Sequence, residues 1–370
     1  MVSDEAGFLY PRIDTTVCVR CGLCEARCPV LHHENGYEKK HSLFAAYARD
    51  TGVRFLGSSG GMFGLFAEKI LQQGGVVYGA AFDEELQLRC KSAESVEELG
   101  PLYKSKYLQS DTAPAFPEIK KALESGRPLL FVSTPCQVQA LRLFLGREYP
   151  NLLAVDFLCH GVPSQDFFDK CKEYEEKKSG AKMIDFRFRT KKKHGATPHY
   201  FTVTYERKGK IKKKTALYTQ SVFYYGFQRY ITLRDSCYEC RFSYSNRCSD
   251  ITIGDFHGID KYVSGINRFD GVSTVCINTE RGAAFWSSVS SGAVVYPLDF
   301  NRLYEKGELM TGGTEKPAIR DAFVAALATR PFDEVVKTYL NGSREYGKRL
   351  YYSMPRVIRK MMKAWMGIKS

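Results

Sequence analysis

The chain has 370 residues, 44% apolar and 26% charged, ordinary proportions for a globular protein with room for two or three domains. No apolar run approaches the roughly 18 residues of a membrane span. The opening "MVSDEAGFLYPR" is acidic where a signal peptide is basic and then apolar, so a cytoplasmic protein is expected. Twelve cysteines in that reducing setting point to metal ligation or redox chemistry rather than disulfides.

The first element is "CVRCGLCEARCPV" (18–30). Its C-x2-C-x2-C-x3-C-P spacing is that of half a two-cluster ferredoxin, in which the fourth cysteine serves the other cluster. Cys18, Cys21 and Cys24 are expected to hold one [4Fe–4S] cluster, and Cys28 to serve a cluster whose other ligands are missing. A zinc knuckle would separate its C-x2-C pairs by a longer loop. "HSLFAAYARD" reads as a connector. In "FLGSSGGMFGLFAEKILQQGGVVYGAAF" a Ser/Gly turn opens a helix with Met62, Phe63, Leu65, Phe66, Ile70 and Leu71 mostly at helical spacing. Gly74 and Gly75 stop it, and Val76–Phe82 reads as a buried strand.

From Pro128 the pattern is strand, helix, strand, helix: "PLLFVS", "TPCQVQALRLFLG", "NLLAVDFLCHG" and "PSQDFFDKCKEYEEKK", the last with Ser164 as cap. That alternation predicts parallel strands with crossover helices, whose ligands collect beyond the carboxyl ends. Cys136 and Cys159 both fall at such ends. Residues 183–218 read as β-structure with a hairpin around Lys208–Gly209. Then come "RDSCYECRF", a strand over Ile251–Phe256, the strand "GVSTVCINT", the helix "ERGAAFWSSV" and a basic, mostly helical tail.

Two constellations carry chemistry besides the first run. Cys237-x2-Cys240 alone is compatible with a zinc half-site, a redox pair or coincidence. With Cys136 and Cys159 it makes a four-thiolate site, for which iron–sulfur and zinc both stay open. Cys248 is a spare thiol nearby, and Cys90, Cys171 and Cys276 read as small core residues. "GSSGGMF" allows close backbone approach, and a helix N-terminus attracts phosphate. Taken alone it reads as a tight turn, and only a cluster beside it makes a flavin site reasonable. His160 is the candidate proton donor. The charge of +13 concentrates in "TKKKHG" (190–195), "ERKGKIKKK" (206–214) and the tail. Solvated loops and a lysine-protected strand edge account for the first two as readily as a polyanionic partner does.

Taken together, "SSGGMFGLFAEKILQQGGVVYGAAF", "YKSKYLQS", "STPCQVQAL", "DFLCHGVPS", "RDSCYECRF" and "SDITIGDFHGI" resemble the coenzyme F420 hydrogenase/dehydrogenase beta subunit family over about residues 55 to 280. The resemblance implies an FAD-containing iron–sulfur protein. It assigns Ser58, Ser59, Gly60 and Gly61 with Lys104, Ser105, Lys106 and Tyr107 to the flavin. It assigns Cys136, Cys159, Cys237 and Cys240 to a [4Fe–4S] cluster beside it. Two departures stand out. His257 replaces a usual tryptophan, and only one ferredoxin half-motif is present, the expected reason being a start at an internal methionine.

The fold expected is mixed, α+β or α/β. A truncated ferredoxin-like segment (1–45) precedes the N-terminal (50–125) and C-terminal (126–300) regions of the beta subunit and a basic helical tail (301–370). The function expected is a flavin-dependent iron–sulfur oxidoreductase. It would take electrons from ferredoxin or a similar donor through one or two [4Fe–4S] clusters to FAD and on to an unknown organic acceptor. Alternatives are an electron-transfer subunit without its own substrate, and a basic nucleic-acid-binding protein with a structural metal site. No nucleic acid is expected as partner. An apolar and basic stripe in residues 344–369 is read as a docked terminal helix or as a membrane-surface or protein contact.

Overall fold

A computed structural model describes residues 1–32, 42–191, 200–267, 270–305, 312–342, 354, 358 and 361. In chain order its first elements are β1 (Val2–Ser3), β2 (Leu9–Tyr10), α1 (Leu23–Ala26), β3 (Ser42–Ala48), α2 (Thr51–Leu56), α3 (Met62–Gln72), β4 (Val76–Phe82) and β5 (Leu88–Ala93). Next come α4 (Phe116–Glu124), β6 (Leu129–Ser133), α5 (Pro135–Leu145), β7 (Leu152–Phe157), α6 (Gln165–Ser179), β8 (Lys182–Arg187), β9 (Tyr200–Arg207) and β10 (Lys210–Leu217). The last are α7 (Val222–Gln228), α8 (Asp235–Tyr238), β11 (Ile251–Asp255), β12 (Ser273–Ile277), α9 (Glu280–Val289), β13 (Ala293–Leu298), α10 (Phe300–Glu305), α11 (Arg320–Thr329) and α12 (Phe332–Tyr339).

Eight strands form one sheet in the order β13-β3-β12-β11-β7-β6-β4-β5, and β10-β9-β8 form a second. Strands β4, β6, β7 and β11 pair in parallel, and the flanking strands antiparallel. The parallel strands are nearly continuous apolar runs, as strands covered on both faces must be. Leu129, Leu130, Phe131 and Val155 are all fully buried. The crossover helices have the ends their sequences announce. Pro135 opens α5, and Gly146 closes it in the left-handed region with φ 69°, the usual asymmetry of proline and glycine at helix ends. Ser164 caps α6 by accepting from the Phe167 N–H.

One expectation fails. "HSLFAAYARD" is not a connector, because Ser42–Ala48 is β3, held between β12 and β13. Its three small buried alanines, Ala45, Ala46 and Ala48, have low β-propensity. Pairing on both sides overrides that propensity, and their size lets neighbouring layers close over the strand. In the second sheet β10 lies at an edge and exposes Lys210, Lys212, Lys213 and Lys214, consistent with lysine protection of a free edge. The stripe named in residues 344–369 lies outside the described residues except at Met354, Ile358 and Met361. No described helix is long and apolar enough to cross a membrane.

Between the sheets lies an aromatic cluster including Phe167, Phe168, Phe186, Phe188, Phe223, Tyr224 and Phe227, all buried. Phe168 packs edge-on to Phe186 and Phe223 and stacks on Phe82 of the large sheet. It therefore ties α6 to both sheets. Truncating it removes that contact and leaves a cavity. Phe168→Ala is expected to lower unfolding stability by about 3–5 kcal/mol, read from chemical denaturation; a loss under about 1 kcal/mol would show that the sheets do not depend on this ring.

Candidate cofactor and thiol site

The carboxyl ends of β4, β6, β7 and β11 open onto a cavity of about 380 Å³, within the range of small-molecule sites. Ser58, Ser59 and Gly61 line it on one side, Lys104, Ser105, Lys106 and Tyr107 on another, and Cys159 and His160 beyond the end of β7. The structure thus gathers seven of the eight residues assigned to a flavin. The turn and the lysine stretch are joined directly, since the Ser105 N–H and hydroxyl donate to Ser58 Oγ at 2.6 and 3.0 Å.

Gly60 is the exception. A Cβ there would stand 2.4 Å from the Ala46 carbonyl oxygen and 2.8 Å from the Ser273 nitrogen, inside the protein body. Glycine at 60 is required by packing on β3 and β12, not by approach of a ligand. The tight-turn reading therefore explains this glycine.

Sequence reasoning missed the groups that hold the turn. Arg189 donates to the Asp255 carboxylate at 2.5 Å, to the Tyr107 hydroxyl at 2.9 Å and to the Ser58 carbonyl at 3.3 Å. Burial works against the guanidinium charge, but Tyr107 and Asp255 hold its pKa above the ordinary value. Burial likewise opposes the Asp255 carboxylate, and Arg189 holds it below the usual range. Lys191, 7% exposed, donates to the carbonyls of Arg54, Ser59 and Asp270. It is the second residue of "TKKKHG", so that run is not wholly a solvated loop; Lys192 and Lys193 lie outside the described residues. Lys104 has φ 69°, a left-handed backbone that non-glycine residues adopt at a cost of order 1 kcal/mol or more, often at functional sites. Burial draws the Lys104 pKa down to about 8, and that of Lys106 to about 7. The cavity is a basic one.

Signals for these groups were uneven. Asp255 closes a parallel strand, where ligand-facing groups collect. Arg189 sits two residues past β8 with nothing local to mark it.

Beside the cavity, Cys136, Cys159, Cys237 and Cys240 lie close enough to act on one another electrostatically. Cys136 sits in the first turn of α5 after β6, and Cys159 two residues past β7. Gly161 brings the third loop in. With φ 111°, a Cβ there would land 2.9 Å from Cys237 Cβ, so only glycine lets the Cys159 and Cys237 loops approach this closely. The Arg234 N–H donates to the Val162 carbonyl, and the Arg234 carbonyl accepts from the Cys237 N–H, pinning α8 to the β7 loop. Burial raises the Cys159 thiol pKa, with Cys237 and Cys136 adding to the rise. Burial pushes Cys237 up to about 12, Cys136 and Cys240 adding to it.

Thiols whose charged forms repel one another fit a polycationic centre that takes them as thiolates. A single zinc ion would hold each sulfur at about 2.3 Å. Among the described residues, no group of three or more His, Cys, Asp or Glu is arranged to hold a metal ion, and iron–sulfur and zinc both stay open for these thiols.

The N-terminal run stands apart. Cys18, Cys21 and Cys24 are exposed and Cys28 is half-buried. The run rests along α5. The Arg27 guanidinium donates to the Leu143 carbonyl at the C-terminal end of that helix, where a cation is favoured by about 0.3–1 kcal/mol. Gln139 donates to the His32 carbonyl at 3.2 Å, one turn from Cys136. Of the cysteines read as core, Cys171 and Cys276 are buried and Cys90 is intermediate. Cys248 is half-buried, its Sγ 3.5 Å from the Pro135 carbonyl oxygen.

Comparison with curated proteins gives no match. A chain of the F420-reducing [NiFe] hydrogenase complex from Methanosarcina barkeri is 21% identical, with 83% of this chain and 91% of that one covered and a TM-score of 0.46. Residues 126–297 match the family model that describes the C terminus of the coenzyme F420 hydrogenase/dehydrogenase beta subunit. These residues run from β6 to β13 and carry Cys136, Cys159, Cys237, Cys240, Arg189 and Asp255. Over these residues, a little under half of the chain, the protein is similar to the C-terminal region of the coenzyme F420 hydrogenase/dehydrogenase beta subunit family.

Proposed function

We propose that the protein is a flavin- and iron–sulfur-dependent oxidoreductase that accepts electrons from ferredoxin or a similar donor and delivers them to an organic acceptor. The observation that carries this reading is the convergence of four cysteines and a basic, glycine-turned cavity on one edge of a parallel sheet, with Cys159 belonging to both. A flavin bound there would exchange single electrons with an iron–sulfur centre and a hydride with an organic molecule.

Each part of the chain has a task in that reading. Cys136, Cys159, Cys237 and Cys240 would hold a [4Fe–4S] cluster. Ser58, Ser59, Gly61 and Lys104–Tyr107 would bind FAD, with Gly60 shaping the turn. Arg189 and Asp255 orient Tyr107 and the Ser58 carbonyl, and the aromatic cluster behind Tyr107 excludes water from that wall. Cys18, Cys21 and Cys24 would hold a second cluster at the surface, where a donor protein can reach it, with Cys28 serving a neighbouring one. Arg27 and Gln139 keep that run against α5, the helix whose first turn carries Cys136. His160 is assigned to proton delivery on its position in the cavity. A beta subunit passing electrons to partner subunits, without its own acceptor, is the alternative, and the family match favours it equally.

Two outcomes test the assignment. Cys237→Ser and Cys240→Ser, prepared anaerobically, are expected to lose about four irons per chain with the matching visible absorption; unchanged iron content would remove these cysteines from the site. His160→Asn is expected to lower turnover of any acceptor the parent reduces by about 100-fold, with iron and flavin content preserved. Turnover equal to the parent's would end the role given to His160.

A further inference from the structure

The Ser58–Gly61 turn has all four of its carbonyls bound by the protein body. Ser58 O accepts from Arg189 Nη2 at 3.3 Å and Ser59 O from Lys191 Nζ at 2.7 Å. Gly60 O accepts from the Ala48 N–H at 2.7 Å and Gly61 O from the Leu65 N–H at 3.2 Å. The Gly60 N–H donates inward to Ser273 Oγ at 2.9 Å, and Gly61 opens α3, whose first N–H groups have no partner within the helix. Ser59, Gly61 and Met62 line the cavity.

Lys191 is the unusual member of this arrangement. Its ammonium gathers three carbonyls from three segments, those of Arg54 in α2, Ser59 in the turn and Asp270 before β12, at 2.6, 2.7 and 2.5 Å. A buried charge normally requires a counter-ion, yet among the described residues no carboxylate forms an ion pair with Lys191. Asp270 is the acidic group that acts on it through space, while Lys104, Arg54 and Arg189 oppose its charge. Arg54, 5% exposed, is satisfied in the same way, donating to the carbonyls of Gly271 and Asn267. Two buried cations held by carbonyls therefore back a turn that opens α3 and lines the cavity. Aligned amides backed by positive charge are an anion site.

Resting on the flavin reading above, we propose that Lys191 is a positioning residue for a phosphate group of the bound dinucleotide. It fixes the Ser58–Gly61 turn at the N-terminus of α3 beside the cavity and supplies, from behind the turn, the charge that a phosphate neutralises. A lysine suits this task because a compact ammonium can bond three converging carbonyls at once, which a planar guanidinium cannot.

The test compares FAD with riboflavin, which has the same ring system and no phosphate, on the full chain prepared anaerobically and freed of flavin. Lys191→Met is expected to weaken FAD binding at least about tenfold and riboflavin binding less than about threefold, with iron content unchanged. Lys191→Gln, which keeps two donors without the charge, is expected to do the same and is the milder change should the methionine variant not fold. FAD affinity within threefold of the parent in Lys191→Gln, or equal loss of FAD and riboflavin, would overturn the proposal. A parent chain that carries iron but binds neither molecule would overturn the flavin reading itself, and this inference with it.

Discussion

Parallel pairing of β6, β7 and β11 is the constraint on which the rest depends. Its register sets Ser133 opposite Asp156 and Thr252 opposite Asp156, so the carboxyl ends of the three strands lie side by side, β11 running on to Asp255. Parallel strands must return through crossovers on the sheet faces, which leaves the loops at their carboxyl ends free to carry side chains rather than connect neighbours directly. Cys136, Cys159 and Asp255 occupy the ends of these three strands. A slip of one residue in any of them would turn its alternating side chains to the other face. The thiol set and the cavity would come apart together.

Around that edge, charge is managed by backbone as much as by side chains. Arg189 has a carboxylate, a phenol and a carbonyl; Lys191 has carbonyls, and Arg54 has carbonyls and the face of the Tyr47 ring. Removing one partner of the partly buried Arg189–Asp255 pair leaves the other uncompensated. The basic cavity is therefore built into the packing of α2, the glycine turn and β11, and does not rest on mobile surface lysines.

Much of this was legible because it is local. Apolar runs with glycine and proline punctuation marked β4, β6, β7, α3, α5 and α6, and strand-to-helix alternation placed Cys136 and Cys159 on one edge. What stayed hidden was non-local. Ser42–Ala48 reads as a connector because small residues carry little strand signal, and only its pairing with β12 and β13 makes it one. Lys191 sits in a lysine run whose composition points to solvent, yet its ammonium is buried by carbonyls distant in sequence. Gly60 looks like a ligand-facing glycine until its missing Cβ is seen to face Ala46 and Ser273.

The most direct test of the flavin and iron–sulfur reading is iron, sulfide, zinc and flavin analysis of the anaerobically purified protein, with its visible spectrum. The expected result is a coloured protein with a flavin spectrum and at least about four irons and four sulfides per chain. A colourless protein carrying zinc and no flavin would contradict it.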